Sequence, residues 1–133
     1  MSGRFISAAE FAGEEPTFTI RSIETVLLQE PDGRERERTA VFFREETRGW
    51  VLNMTNGICL EAMFGDDQRK WVGKRVTLTA ALIEWGDGLR VGVRVKGSPY
   101  LSDYLDVFIQ LPYRDAYFMR LVPTPIRWVK RAA

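Results

Sequence analysis

Residues 50–57 read WVLNMTNG, an apolar run that begins like a buried strand and then turns polar. The spacing predicts a short strand over residues 50–53. The next stretch, TNGICLEAMFG at residues 55–65, predicts a helix, because Ile58, Leu60, Met63 and Phe64 share much of one face and Gly65 ends it. Asn53, Thr55 and Asn56 stand at the junction. Asn and Thr oxygens accept hydrogen bonds from the unpaired amides of a helix's first turn, worth about 0.5–2 kcal/mol by substitution. Whether these three residues only punctuate the chain or also touch a ligand is the question they raise.

Upstream, RFISAAEFAG carries a capping-box spacing (Ser7, Glu10) and a hydrophobic staple (Ile6, Phe11), predicting one helical turn over residues 8–12 closed by Gly13. In TFTIRSIETVLLQ, residues 17–29, apolar positions alternate but slip parity between Arg21 and Val26. That slip predicts one long strand with a bulge or bend. Asp32-Gly33 predicts the turn to a return strand over residues 39–45.

Downstream, residues 75–83 alternate, with Val76, Leu78, Ala80 and Leu82 on one side and Arg75, Thr77 and Thr79 on the other. After EWGDG, Leu89, Val91, Val93 and Val95 are expected inward and Arg90, Arg94 and Lys96 outward. A third hairpin over residues 104–122 turns at Pro112 to Asp115, and a basic tail occupies residues 125–133. The order strand, strand, short strand, helix, strand, strand predicts a mainly β protein. Its expected form is an OB-fold-like five-stranded Greek-key barrel with the helix between strands three and four. The expected domain is residues 1–124, with its core in 17–97.

Composition bounds the chemistry. The chain has 133 residues, 45% apolar and 28% charged, an ordinary balance for one globular domain. No apolar run reaches the roughly 20 residues of a membrane helix, so no membrane partner and a cytoplasmic location are expected. There is no histidine, which removes His-dependent triads and most zinc sites. Cys59 is the single cysteine and lies among apolar residues, so a buried inert thiol is expected. Asp66-Asp67 reads as a turn rather than a metal site. No nucleophile–base pair stands out, so no enzyme, metal or cofactor is expected. A net charge of +1 means that any polyanion site depends on local clustering.

The segment FREETRGWVLNMTNGICLEAMFGDDQRKWVGKRVTL resembles the signature of a family of small OB-fold-like proteins of phages and mobile elements. The resemblance is carried by Leu52, Asn53, Thr55, Asn56, Phe64, Gly65, Asp66, Trp71, Gly73 and Lys74, and the likeness runs from about residue 17 to 124. It implies single-stranded DNA binding of low sequence specificity in replication or recombination. The partners it implies are that DNA and replication or recombination proteins of phage or host. The basic tail (Arg127, Trp128, Lys130, Arg131) departs from the acidic tail of bacterial single-strand binding proteins.

On this reading, Asn53, Thr55, Asn56, Gly65, Trp71 and Gly73 are structural, with recognition of a nucleotide by the amides as the alternative. The candidate binding residues are Arg34, Arg36 and Arg38 on the first hairpin loop and Trp85 on the second. Phe43, Arg44 and Trp50 join them on the strands, as do Lys74, Arg75, Arg90 and Arg94 on the ladder beyond. Arginines meet phosphates and aromatic rings stack on bases, at about 1–3 kcal/mol per base. Glu35 and Glu37 alternate with the loop arginines and offset their field. The competing reading is a protein-interaction or assembly module, including a homo-oligomer, using Tyr100, Tyr104, Tyr113 and Tyr117.

Overall fold

A computed structural model describes residues 4–85 and 88–125; the Trp85 side chain and the tail beyond Pro125 lie outside that description. The molecule is mainly β, with a seven-stranded sheet and a single α-helix among the described residues. The strands are β1 (Thr17–Gln29), β2 (Glu35–Phe43), β3 (Trp50–Val51), β4 (Arg75–Trp85), β5 (Gly88–Ser98), β6 (Leu105–Ile109) and β7 (Tyr117–Pro123). The helix α1 (Met54–Phe64) lies between β3 and β4. The sheet order is β3-β2-β1-β4-β5-β7-β6.

The parity slip in β1 is a register shift between Ile20 and Ser22. It divides the strand's work: Thr17–Thr19 pair with β4, and the remainder pairs with β2. One long strand thereby joins two hairpins, as a bulge that turns the following side chains allows. The first return strand spans residues 35–43 rather than 39–45, so the charged ERER run at residues 35–38 is strand, not loop. Its backbone completes the ladder with β1 whatever its side chains carry; Glu35, Arg36 and Glu37 stay in solvent and Arg38 is half-buried. The helical turn expected at residues 8–12 is a 3-10 turn, Ala8–Phe11, whose Glu10 carboxylate accepts the Ser7 amide at 2.9 Å.

The core gathers the alternate residues of these strands: Phe18, Ile20, Val41, Phe43, Trp50, Val76, Leu78 and Val95, closed by Trp71. Phe18 and Phe43 stack at 4.8 Å, and Phe43 and Trp50 at 6.2 Å. Cys59 and Leu60 of α1 extend this core to Val107, Ile109 and Leu121 of the last hairpin. The inward face expected for β4 and β5 holds only at its base. Leu78 opposite Val95 is buried, but Leu82 opposite Val91 is exposed (68% and 54%), as is Leu89 (69%). The ribbon runs on past the core, so correct alternation continues into solvent.

β5 hands its outer edge to two partners. At Gly97 and Ser98 it pairs in parallel with Val122 and Pro123 of β7. Gly97 is required there, because a Cβ would lie 1.8 Å from the Val122 carbonyl oxygen. At residues 93–95 the edge is taken by a side chain of α1, described next.

Candidate functional site

The strand–helix junction resolves into two different roles. Asn53 is the N-cap of α1, its side chain accepting the Asn56 amide at 2.9 Å. Asn56 points inward and is 1% exposed. Its Nδ2 donates to the Val93 carbonyl at 2.8 Å, while its Oδ1 accepts the Val95 amide at 3.2 Å. A primary amide carries N–H donors beside a carbonyl acceptor, as a strand edge does, so Asn56 pairs with β5 as a neighbouring strand would. Thr55 is buried beside it. Trp71 is buried and donates Nε1–H to the Gly65 carbonyl at 2.7 Å, tying the end of α1. Gly65 and Gly73 adopt positive φ of 93° and 89°, the region glycine enters without strain.

The residues expected to bind nucleic acid do not form one surface. Phe43 and Trp50 are buried (1% and 2%) and stacked in the core, so neither is a platform for bases. The adjacent pair resolves with Phe43 inward, while Phe42 is half-buried with the Arg21 guanidinium over its ring at 5.8 Å. Around the first turn, Arg36 meets Asp32 at 3.6 Å and Arg38 meets Glu30 at 3.1 Å. Arg34 and Arg44 are exposed. Lys74 lies over the Tyr100 ring at 5.3 Å. Arg75 is half-buried, and its carbonyl accepts the Ser98 hydroxyl at 2.7 Å. The hydroxyl ladder expected beside it is solvated only in part: Thr77 is buried, bonded to Thr17 and Thr124 at 2.6 and 2.8 Å, while Thr79 is half-buried and donates to Glu15 at 2.8 Å. Arg90 is exposed near the ribbon's tip. Trp85 ends β4, with its side chain outside the description.

A groove of about 1200 Å³ lies elsewhere, between the β4–β5 ribbon, the start of α1 and the turn and strand of the last hairpin. Of the candidate binding residues whose side chains are described, only Arg94 lines it; Asn53 and Thr55 of the strand–helix junction line it too, and no residue of the first turn does. Tyr113 and Tyr117 stand exposed on its far wall. Tyr113 sits in the turn at φ 62°. Three further cations line the groove, each beside a carboxylate: Lys96 with Glu15 at 3.5 Å, Arg114 with Glu84 at 3.4 Å, and Arg120 with Asp106 at 2.8 Å. The sequence offered the tyrosines as candidates for an assembly surface but could not align them with Arg94, because β5 and β7 meet only through a two-residue parallel pairing.

Arg94 differs from its neighbours. Its Nη1 is buried and has no hydrogen-bond partner. Burial draws its pKa below the ordinary guanidinium value, against the opposing pull of Tyr117 and Cys59 nearby. The Cys59 thiol is itself pushed up to about 11 by burial. Among the described residues no group of three or more metal-ligating side chains could hold an ion, and no helix is long and apolar enough to cross a membrane. Compared with family models, curated proteins and solved structures, the chain matches none, so the site is read from its own geometry.

Proposed function

We propose that the protein binds single-stranded DNA with little sequence preference, and that the strand runs through the groove between the β4–β5 ribbon and the last hairpin. The observation that carries this reading is the meeting of exposed tyrosine rings with four cationic side chains along one channel. Rings for base stacking beside cations for phosphates are what sequence-tolerant single-strand binding requires. At about 1200 Å³ the groove exceeds the roughly 300–1,000 Å³ of small-molecule sites, which suits a chain better than a metabolite. The sheet order supports the same class. β3-β2-β1-β4-β5 is the order a five-stranded OB barrel gives when opened between β3 and β5, with the helix at the opening. The Asn56 clip and the parallel pairing of β7 then occupy the β5 edge that closure would use. The likeness of the LNMTN, FGD and WVGK segments to the phage family supplies the replication or recombination setting.

Anisotropy of a labelled oligo-dT at two salt concentrations tests the proposal. Contact with about 3–5 phosphates gives a log–log salt slope of roughly −2 to −3.5. Tyr113→Ala and Tyr117→Ala each weaken binding by about 5–100-fold if a base stacks there. Absence of binding at low salt defeats it.

A second reading, a self-assembling module, is favoured by one feature: Leu82, Leu89 and Val91 form an exposed apolar face on the ribbon. Light scattering distinguishes it. A defined oligomer that Leu82→Lys with Val91→Lys dissolves, and that ignores DNA, supports assembly instead.

A further inference from the structure

We infer that Arg94 is the seat of a phosphate oxygen in the groove, receiving a phosphodiester of the bound strand; this deepens the proposal above and rests on the groove as the strand's path. A guanidinium keeps its charge at any ordinary pH and presents its N–H donors as a planar fork suited to phosphate. Buried donors are almost always paired, because an unpaired one forfeits its bond to water and gains nothing in return. Nη1 of Arg94 has no partner in the free protein. Glu84 and Asp115 line the same groove, yet neither forms an ion pair with Arg94, and Glu84 is engaged by Arg114.

The contrast with the other cations decides the assignment. A phosphate approaching Lys96, Arg114 or Arg120 competes with a carboxylate already in place. At Arg94 it competes with none. Nη1 lies beneath the groove surface, so the guanidinium must turn to meet a ligand oxygen, and that turn breaks no hydrogen bond of Nη1. The seat is also held firmly. The backbone on either side of Arg94 is clipped by Asn56 at Val93 and Val95, and β5 is fixed again at Gly97 and Ser98. The backbone is thereby ordered in advance, and the ligand has only the side chain of Arg94 to fix.

Two probes separate this inference from the reading beneath it. The first is inorganic pyrophosphate, followed by the NMR resonance of the Arg94 Nε–H group and by the melting temperature. The second is labelled oligo-dT at two salt concentrations. Wild type, Arg94→Gln and Arg94→Lys are compared. Arg94→Gln removes a half-buried unpaired charge, so it should melt no lower than wild type, which keeps a binding loss separate from unfolding. The expected result is that pyrophosphate shifts the Arg94 resonance and Arg94→Gln loses the accompanying stabilisation. For oligo-dT, Arg94→Gln lowers affinity about tenfold or more and flattens the salt slope by about 0.7, while Arg94→Lys keeps most of the slope. If wild type binds oligo-dT but Arg94→Gln matches it within about twofold and at the same slope, the Arg94 seat is overturned and strand binding survives. If pyrophosphate binds through Arg94 and oligo-dT does not bind, the phosphate seat stands for a free polyphosphate and the DNA reading falls. If neither probe binds, both fall.

Discussion

Replacing Asn56 with Ala tests whether a single side chain substitutes for a strand on the edge of β5. The substitution removes two hydrogen bonds, at 2.8 and 3.2 Å, that join α1 to the Val93 carbonyl and the Val95 amide. Each is worth about 0.5–1.5 kcal/mol net, and each backbone group left buried without a partner adds up to about 1–3 kcal/mol. Water entering the vacated space recovers part of the penalty, and alanine's higher helix propensity returns about 0.5 kcal/mol. The expected cost is about 2–4 kcal/mol. For a chain of this length that lowers the melting temperature by about 6–16 °C. Asn53→Ala removes only the cap bond and is expected to cost about 1 kcal/mol. Urea unfolding followed by fluorescence of the buried Trp50 and Trp71 gives both numbers. Hydrogen exchange at the Val95 amide adds a local readout, since protection there should fall in Asn56→Ala and persist in Asn53→Ala. The reasoning is refuted if Asn56→Ala costs no more than Asn53→Ala, or if the Val95 amide keeps its protection.

Three further outcomes follow from the packing. Gly97→Ala places a methyl 1.8 Å from the Val122 carbonyl oxygen, so it should part β5 from β7 and cost about 3 kcal/mol or more; a melting temperature within about 2 °C of wild type contradicts this. The Glu10 carboxyl is held below its ordinary value of 4.5, chiefly by its hydrogen bond from Arg48 and then by the Ser7 amide. A carboxyl with a depressed folded pKa stabilises fully above its unfolded value and loses that contribution as the pH falls through the folded one. The gap in urea midpoint between wild type and Glu10→Gln should therefore be open at neutral pH and close as the pH drops below 4.5; a gap that persists in acid rules out the ion pair as its source. Cys59, raised to about 11 by burial, should react with an aromatic disulfide reagent slowly when folded and rapidly in urea; rapid labelling of the native protein at neutral pH contradicts its burial.

The fold was largely legible because its signals are local. A parity slip in residues 17–29 announced the shift between Ile20 and Ser22, and Asp32-Gly33 marked the first turn, where Gly33 has φ 85°. The helix after Asn53 was readable from its cap and its terminal glycine. What misled was the relation between alternation and burial. Period two says which residues share a face, not how far the core extends beneath it, so Leu82, Leu89 and Val91 were placed inward on a ribbon that outruns the core. The same limit applies to Phe42 and Phe43: alternation requires that they oppose each other, but only the stack of Phe18, Phe43 and Trp50 decides which one is inside. The groove was not legible, because it joins β5 to the last hairpin through contacts far apart in sequence. Arg94 was named as a candidate, yet the property that sets it apart, a buried nitrogen without an acceptor, depends on where α1 and β7 end up.

The outer edge of β5 links stability to the groove. An edge strand exposes unpaired amides and carbonyls that invite further pairing. Here residues 93 and 95 are taken by Asn56, and Gly97 and Ser98 by β7. Both attachments bring a wall with them: α1 comes with the first, and the last hairpin comes with the second. The channel lined by Arg94 is therefore the space left between two elements fixed to one strand. Its width depends on both attachments. Loosening either should weaken ligand binding as well as the fold, even though neither Asn56 nor Gly97 lines the groove. Under conditions where Asn56→Ala remains folded, its binding of oligo-dT should thus be weaker than that of wild type at matched salt. Equal affinity in the two proteins would mean that the groove keeps its shape without the clip.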